Sequence, residues 1–596
     1  MNRNITQIKS ISVSSIILTL LIALIIIPSS LFAQKQNGDL KYMHNETPDD
    51  PYLPMLPEDT KTSPAYCYRS SNFFTAQVNV DENGENILGD AANEPSIAID
   101  PTNPDRIVIG WRQFDNVLSN FRQAGYGYST DGGQTWTAPD PIDAGVFRSD
   151  PVLDFDVYGN FYYNSLTKDA NSNYWCDVYK SDDGGAEWDN GTYAYGGDKQ
   201  WMRIDRTDGI GNGNIYAFWN PSYSSCEPGS FTRSTDEGAS YEDCDEVLGD
   251  LVWGTLAVGP DGELYTVGAY SWSNIAVSKS TNAQNPLQPT TWEQSTVIDL
   301  KGYLDGWMPV NPAGLLGQAY IDVDISDGEG RGNVYVLASV KRNNGDPCDV
   351  MFARSTDGGT TWDDPVRINT DLSLSSYQWF GTMSVAPNGR IDAVWLDTRN
   401  SLSSNIYMSE LYYSYSIDQG ITWSQNERLS NAFDPHIGWP NQEKMGDYFH
   451  MVSDNNGAHL AWANTLNGEQ DVYYGYINPW FVGIDDETVS NNNISFFNYP
   501  NPVSDRTTLR YELHEKNMVV IEISDIYGNI VKVITNDIKE VGTHNTVFDA
   551  SSLSRGIYFC RLTVGSKSET IKLTLIKQHY NIRVYFLRIT FQSKLC

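Results

Sequence analysis

Long runs of Ala, Leu, Glu and Lys at helical period are missing from this chain, and charge is sparse, at 19% of 596 residues. Basic residues are fewer still: 40 Lys and Arg stand against 75 Asp and Glu, a formal net charge of -35. Such a field repels phosphate backbones and anionic membranes, which excludes nucleic acid as a partner. Histidine is scarce, at seven, and neither His-Glu-x-x-His nor a Cys-x-x-Cys pair occurs, so no zinc-site spacing is present. Gly-x-Ser-x-Gly, the turn that exposes a hydrolase serine, is also absent. Gly209-Ile-Gly-Asn-Gly213 is glycine-rich, but it opens a hairpin and no helix follows, so it is not a phosphate loop.

What the chain does have is aromatic and glycine-rich: 12% aromatic residues, with 36 Tyr, 17 Trp and 48 Gly. Short aromatic runs broken by Gly, Asn and Asp point to an all-β protein. The length calls for more than one core. Arg3 and Lys9 precede an apolar run over residues 16–27 that is short for a membrane span, and Pro28-Ser-Ser-Leu-Phe-Ala33 has the look of a cleavage region. Residues 1–33 are therefore expected to be a signal peptide, Gln34 the mature start, residues 34–71 an N-terminal extension, and the mature chain free of transmembrane segments. Export permits disulfides. Of seven Cys, Cys226 and Cys244 flank one expected hairpin and form the best pair.

Internal repetition organises the rest. The form Ser-x-Asp-x-Gly-x-x-Trp begins at Ser129-Thr-Asp131-Gly-Gly133-Gln-Thr-Trp136 and returns around Asp183, Asp236, Asp357 and Asp418, with Tyr241 replacing Trp at the third copy. A degenerate copy runs from Ser280 to Trp292. The carboxylate accepts backbone N–H groups in a tight turn, the glycine takes φ > 0, and the Trp packs the next strand. A strand-like repeat precedes the copies, from Arg106-Ile-Val-Ile-Gly-Trp111 to Gly457-Ala-His-Leu-Ala-Trp462, and another apolar strand precedes each of these. Four strands per unit, at a period of roughly 50 to 70 residues, fit propeller blades. Seven units can be counted, with residues 73–80 placed to complete the last. The Ser-x-Asp-x-Gly-x-x-Trp copies resemble the Asp boxes, or BNR repeats, of sialidase-like proteins. That resemblance implies a β-propeller over residues 72–480, for which six blades is the alternative to seven.

After a polar linker at residues 481–493, the composition changes. Alternating strands follow Asn498-Tyr-Pro-Asn-Pro502, with Ser524-Asp-Ile-Tyr-Gly-Asn529 as a turn and Leu553-Ser-Arg-Gly-Ile-Tyr558 opening a late strand. The pattern is that of a small Ig-like β-sandwich over residues 494–577. These pieces closely resemble the type A sorting domain of the type IX secretion system of Bacteroidetes-like cells. The resemblance implies the secretion machinery as a partner and release or surface attachment as the fate. Residues 578–596, apolar and basic, depart from that pattern as an atypical tail.

In a propeller each inner strand starts on the face where its second strand ends. The starts supply Glu94, Asp150, Asp198, Lys199, Gln200, Gln318 and Asp447; the ends supply Arg112, Asn220, Lys341, Arg342, Asp397, Arg399 and Asn464. Trp111, Trp219 and Trp395 stand beside them. A charged ring framed by aromatics suits a polar ligand such as an extracellular glycan or glycoprotein. Arg112, Arg203, Arg399, Asp198, Lys199, Asp397 and Asp447 are the ligand-binding candidates. The sialidase resemblance implies three arginines clamping a carboxylate, a Tyr nucleophile paired with Glu, and an Asp acid/base. By position, Arg112, Arg203 and Arg399, with Arg148 as a further candidate, would supply the clamp, Tyr448 and Glu94 the pair, and Asp150 the acid. The Phe/Tyr-Arg-Ile-Pro signature of those enzymes is absent, and Phe147-Arg-Ser-Asp-Pro151 is a loose counterpart. A non-catalytic adhesin or protein-binding platform, and a propeller lyase, stay open beside the hydrolase. No cofactor is expected; the 324–330 hairpin offers oxygens for a structural Ca²⁺ but lacks EF-hand spacing.

Overall fold

The computed structural model describes residues 49–52, 60–479 and, with short gaps, 496–575. The expected signal peptide, the linker and the tail lie outside them. The chain divides into two compact units, Met1–Phe481 and Val482–Cys596. Among the described residues every regular element is a β-strand, and no helix there is long and apolar enough to cross a membrane.

Besides a two-stranded sheet that pairs Lys61–Pro64 with Glu85–Leu88, seven larger antiparallel sheets follow one another among the described residues of the first unit. Their inner strands are Ala91–Ile99, Ser149–Phe155, Trp201–Ile204, Leu256–Val258, Tyr320–Val323, Gln378–Val385 and His450–Ser453. Each packs beside the next, and the seventh packs beside the first. The closing sheet takes its outer strands from the N-terminal side: Phe73–Gln77 pairs with Asp471–Ile477, Phe73 opposite Ile477. This leaves the ring no open seam.

Side chains on the inner strands clasp neighbouring blades. Ser96 accepts the Leu153 N–H at 2.8 Å, Asp154 that of Ile204 at 2.7 Å, and Thr255 that of Ile321 at 3.0 Å. Asp322 accepts from Val385 at 2.8 Å, Ser384 from Ser453 at 3.0 Å, and His450 Nδ1 from Ile97 at 3.2 Å. The last of these joins the seventh inner strand to the first. Each bond satisfies an inner-strand amide that has no strand partner on that side.

The Asp turns do what their composition requires. Ser129 donates to Asp131 at 2.8 Å and accepts the Gly133 N–H at 2.9 Å; Asp131 accepts the N–H groups of Gln134 and Thr135, both at 2.9 Å. Gly133 has φ +82°, and a Cβ there would run into Tyr474. The arrangement recurs at Asp183, Asp236, Asp357 and Asp418. In the degenerate copy Asn282 holds the position, accepting from Ser280 at 3.2 Å and from the Thr291 N–H at 2.9 Å. Cys226 and Cys244 are joined, with Cα atoms 6.2 Å apart.

The second unit pairs a three-stranded sheet with a four-stranded one, and residues from both, including Leu509, Ile521 and Leu562, share its core.

Candidate functional site

The inner strands all begin with the same kink. Glu94 (φ 50°), Asp150 (48°), Lys199 (56°), Trp253 (59°), Gly317 (136°), Phe380 (55°) and Gly446 (96°) occupy equivalent places in the seven blades. The pairing register shifts beside Glu94, Asp150 and Phe380. A left-handed residue other than glycine costs about 1–3 kcal/mol. Glycine stands at two of the seven places, whereas blades one to three keep a charged side chain there and blade four a Trp.

Those charged side chains meet on one face. Lys199 Nζ lies 2.8 Å from Asp447, 3.3 Å from Asp150 and 3.4 Å from Asp198. Lys444 Nζ bridges Asp447 at 2.8 Å and Glu94 at 3.4 Å. Arg112 reaches Glu94 at 3.3 Å and donates to Asn93 at 2.8 Å. The group spans blades seven, one, two and three, and all its members are buried. Lys444, which sequence reading missed, sits in the loop before the last inner strand, where no periodic signal marks it.

Burial sets the two carboxyls apart. It pushes Glu94 up to about 8 despite Arg112 and Lys444, and neither of its carboxylate oxygens has a hydrogen-bond partner among the described residues. Burial acts on Asp447 too, but Lys199, Lys444 and Arg112 overcome it and hold Asp447 well below the carboxylate range. Lys199 is depressed by burial, yet Asp150, Asp198 and Asp447 keep it well above its usual value. The two carboxyls are thus driven in opposite directions, Glu94 upward by burial and Asp447 downward by the cations around it.

An aromatic platform adjoins this network. Asp198 accepts the Asn220 amide at 3.0 Å, and Asn220 in turn accepts the Trp253 N–H at 3.2 Å. Trp253 packs edge-on against Trp272 and Trp307, with ring centroids 6.5 and 6.0 Å away. Trp272 and Trp307 are half-buried, and Trp307 also has a left-handed backbone, φ 57°. Nothing in the spacing of these tryptophans brings them together in sequence.

Three expected roles need correction. Arg203 does not join Arg112: it lies near the end of its inner strand, not the start, and lines the opposite mouth of the tunnel with Ile204 and Asp322. Arg399 is held by Asp397 at 2.6 Å and stacks on Tyr412 at 4.3 Å, so Asp397 and Arg399 satisfy each other. The three-arginine clamp is therefore not assembled. Tyr448 is fully buried, its hydroxyl donates to the Pro151 carbonyl at 2.8 Å, and burial with the charges of Glu94 and Asp150 drives it well above its usual value. That is the reverse of what a tyrosine nucleophile needs. In the 324–330 hairpin Asp324 accepts the Ser326 N–H at 2.8 Å. Among the described residues no group of three or more His, Cys, Asp or Glu is gathered as metal ligands.

Among solved structures the chain is similar to a protein of unknown function from Dyadobacter fermentans (13% identity, 68% of this chain, 97% of that one, TM-score 0.39). It is similar also to the Hadza microbial sialidase Hz136 (12% identity, 65% of this chain, 66% of that one, TM-score 0.35) and to the phage phi92 endosialidase (9% identity, 88% and 90%, TM-score 0.38). Likenesses this slight carry no assignment of activity. No curated protein sequence matches the chain significantly. Residues 498–577 match the family described as the secretion system C-terminal sorting domain. The second unit is a sorting domain of the type IX system, and it directs the chain through secretion to the cell surface.

Proposed function

We propose that the face carrying the inner-strand starts binds an extracellular glycan, with Trp272 and Trp307 stacking on sugar rings and the Lys199–Asp447–Glu94 network fixing the rim beneath them. The carrying observation is the half-buried tryptophan platform joined to that network through Trp253, Asn220 and Asp198. Flat aromatic faces with polar groups at one edge suit the apolar faces and hydroxyls of a sugar. The test is a glycan array with the exported chain, followed by calorimetry on each hit. Trp272→Ala and Trp307→Ala should each weaken binding tenfold or more at a temperature where circular dichroism shows both variants folded. An array without hits would overturn the reading and favour a protein-binding platform on the same scaffold.

Hydrolysis is the second reading, favoured by two buried carboxyls bridged by Lys444, Glu94 shifted upward and Asp447 downward. A panel of fluorogenic glycosides, sialosides included, tests it. Turnover that disappears in Glu94→Gln while glycan binding persists would support it. Turnover that survives that change would sink it.

A further inference from the structure

The tunnel has a second mouth, where the inner strands end, and it opens into a cavity of about 970 Å³. Its throat is apolar. Every blade contributes one aliphatic or aromatic side chain to the wall, among them Ile99, Phe155, Val258, Val385 and Val452, and prolines of three inter-strand turns stand at the edge. Within this throat Arg203 is half-buried; it makes no hydrogen bond or close ion pair with any described residue, and its charge acts on Asp322 and His450 nearby. Its neighbours are already engaged. Asp322 spends its oxygens on the N–H groups of Val385 and Val323, at 2.8 and 3.0 Å, and Asp154 spends its own on Ile204 and Arg206. Arg206 is paired with Asp154 at 2.6 Å and stacked on Phe155 at 4.1 Å, and Arg331 at the exposed edge donates to the Ile325 and Ser326 carbonyls, so among the described residues Arg203 is the cavity guanidinium without a hydrogen bond.

A guanidinium in an apolar throat calls for a planar anion, which it grips through two N–H groups. The outer rim limits what that anion is attached to. Asp208, Asp261 and Asp327 line it from three successive blades, exposed and without an ion-pair partner among the described residues; with the single cation Arg331 beside them they leave the rim net negative, so it disfavours a polyanion and attracts positive charge. Aliphatic walls and proline edges suit hydrocarbon side chains better than sugar hydroxyls.

We propose that this mouth is a binding site for the C-terminal end of a peptide. The terminal carboxylate pairs with Arg203, apolar side chains rest against the seven-membered wall, and a basic residue further up the peptide meets the rim aspartates. The site is separate from the glycan face and does not depend on it.

The experiment uses the full exported chain and calorimetry with two probes, acetyl-Lys-Gly-Val-Leu as the free acid and the same peptide as its C-terminal amide. The free acid should bind at least tenfold more tightly. Arg203→Gln should abolish that preference and Arg203→Lys should restore part of it, while Trp307→Ala on the opposite face leaves it unchanged. Equal binding of acid and amide, absence of binding by either, or a preference that survives Arg203→Gln would each overturn the proposal. So would a trigalacturonate that displaces the peptide at lower concentration than the peptide displaces itself, since the throat would then be reading a sugar acid.

Discussion

Asp357 and Asn282 hold the same place in two turns of one molecule, one charged and one neutral. Asp357 accepts from the Thr361 hydroxyl, from the Thr361 N–H at 2.8 Å and from the Thr360 N–H at 3.0 Å, and these bonds lower it to about 2. Asp357→Asn should therefore cost less than half of what Asp357→Ala costs in thermal stability, because the amide oxygen can still accept, as it does at Asn282. The charge-dependent part of that stability is present above pH 3.8 and lost as pH falls toward 2. His450 behaves in the opposite sense to a salt-bridged histidine. Burial and the Arg203 charge lower it from 6.5 to about 3, so the folded chain refuses a proton that the unfolded chain accepts. Stability should fall as pH drops from 6.5 toward 3, by up to roughly 5 kcal/mol from this group. Glu94, raised to about 8, contributes with the reverse slope between 4.5 and 8. Comparing wild type with His450→Gln in denaturant titrations at pH 7 and pH 4.5 separates the two: the variant should lose less stability on acidification.

At the scale of elements, the turns and the strand order were legible because they rest on local chemistry. Ser, Asp and Gly at fixed offsets specify a turn wherever they occur, and the apolar strands before them repeat with it. The starts of the inner strands were legible for the same reason, and Glu94, Asp150, Asp198, Lys199 and Asp447 do meet there. What failed was phase along a strand. Arg203 lies four residues after Lys199, and in extended backbone that distance is enough to carry it to the other mouth. The tryptophan platform was hidden because its members come from an inner-strand start, a hairpin and an inter-blade loop. The ionic network is open to a direct test. Lys199→Met leaves Asp150, Asp198 and Asp447 facing one another without their shared cation, and should cost about 3–5 kcal/mol in urea unfolding. Adding Asp447→Asn should recover part of that loss, a coupling that two independent sites would not show.

For the whole molecule, the sorting unit decides where any chemistry takes place. Deleting residues 498–577 should leave the propeller in the cell envelope, read by immunoblotting of surface and medium fractions. The disulfide belongs to the same exported setting. Cys226 and Cys244 are 18 residues apart, a loop whose closure stabilises by about 3 kcal/mol on chain-entropy grounds, so reductant should lower the melting temperature and leave Cys226→Ser unaffected. The pairing of Phe73 with Ile477 also governs how the molecule is made. Joining segments about 400 positions apart in sequence carries a closure entropy of about 5 kcal/mol, recovered only when the final blade docks. Six sheets can form from neighbours in sequence as the chain emerges, but the seventh waits for both ends. Refolding should therefore be slow, with its rate set by the meeting of the two ends rather than by the formation of any single blade.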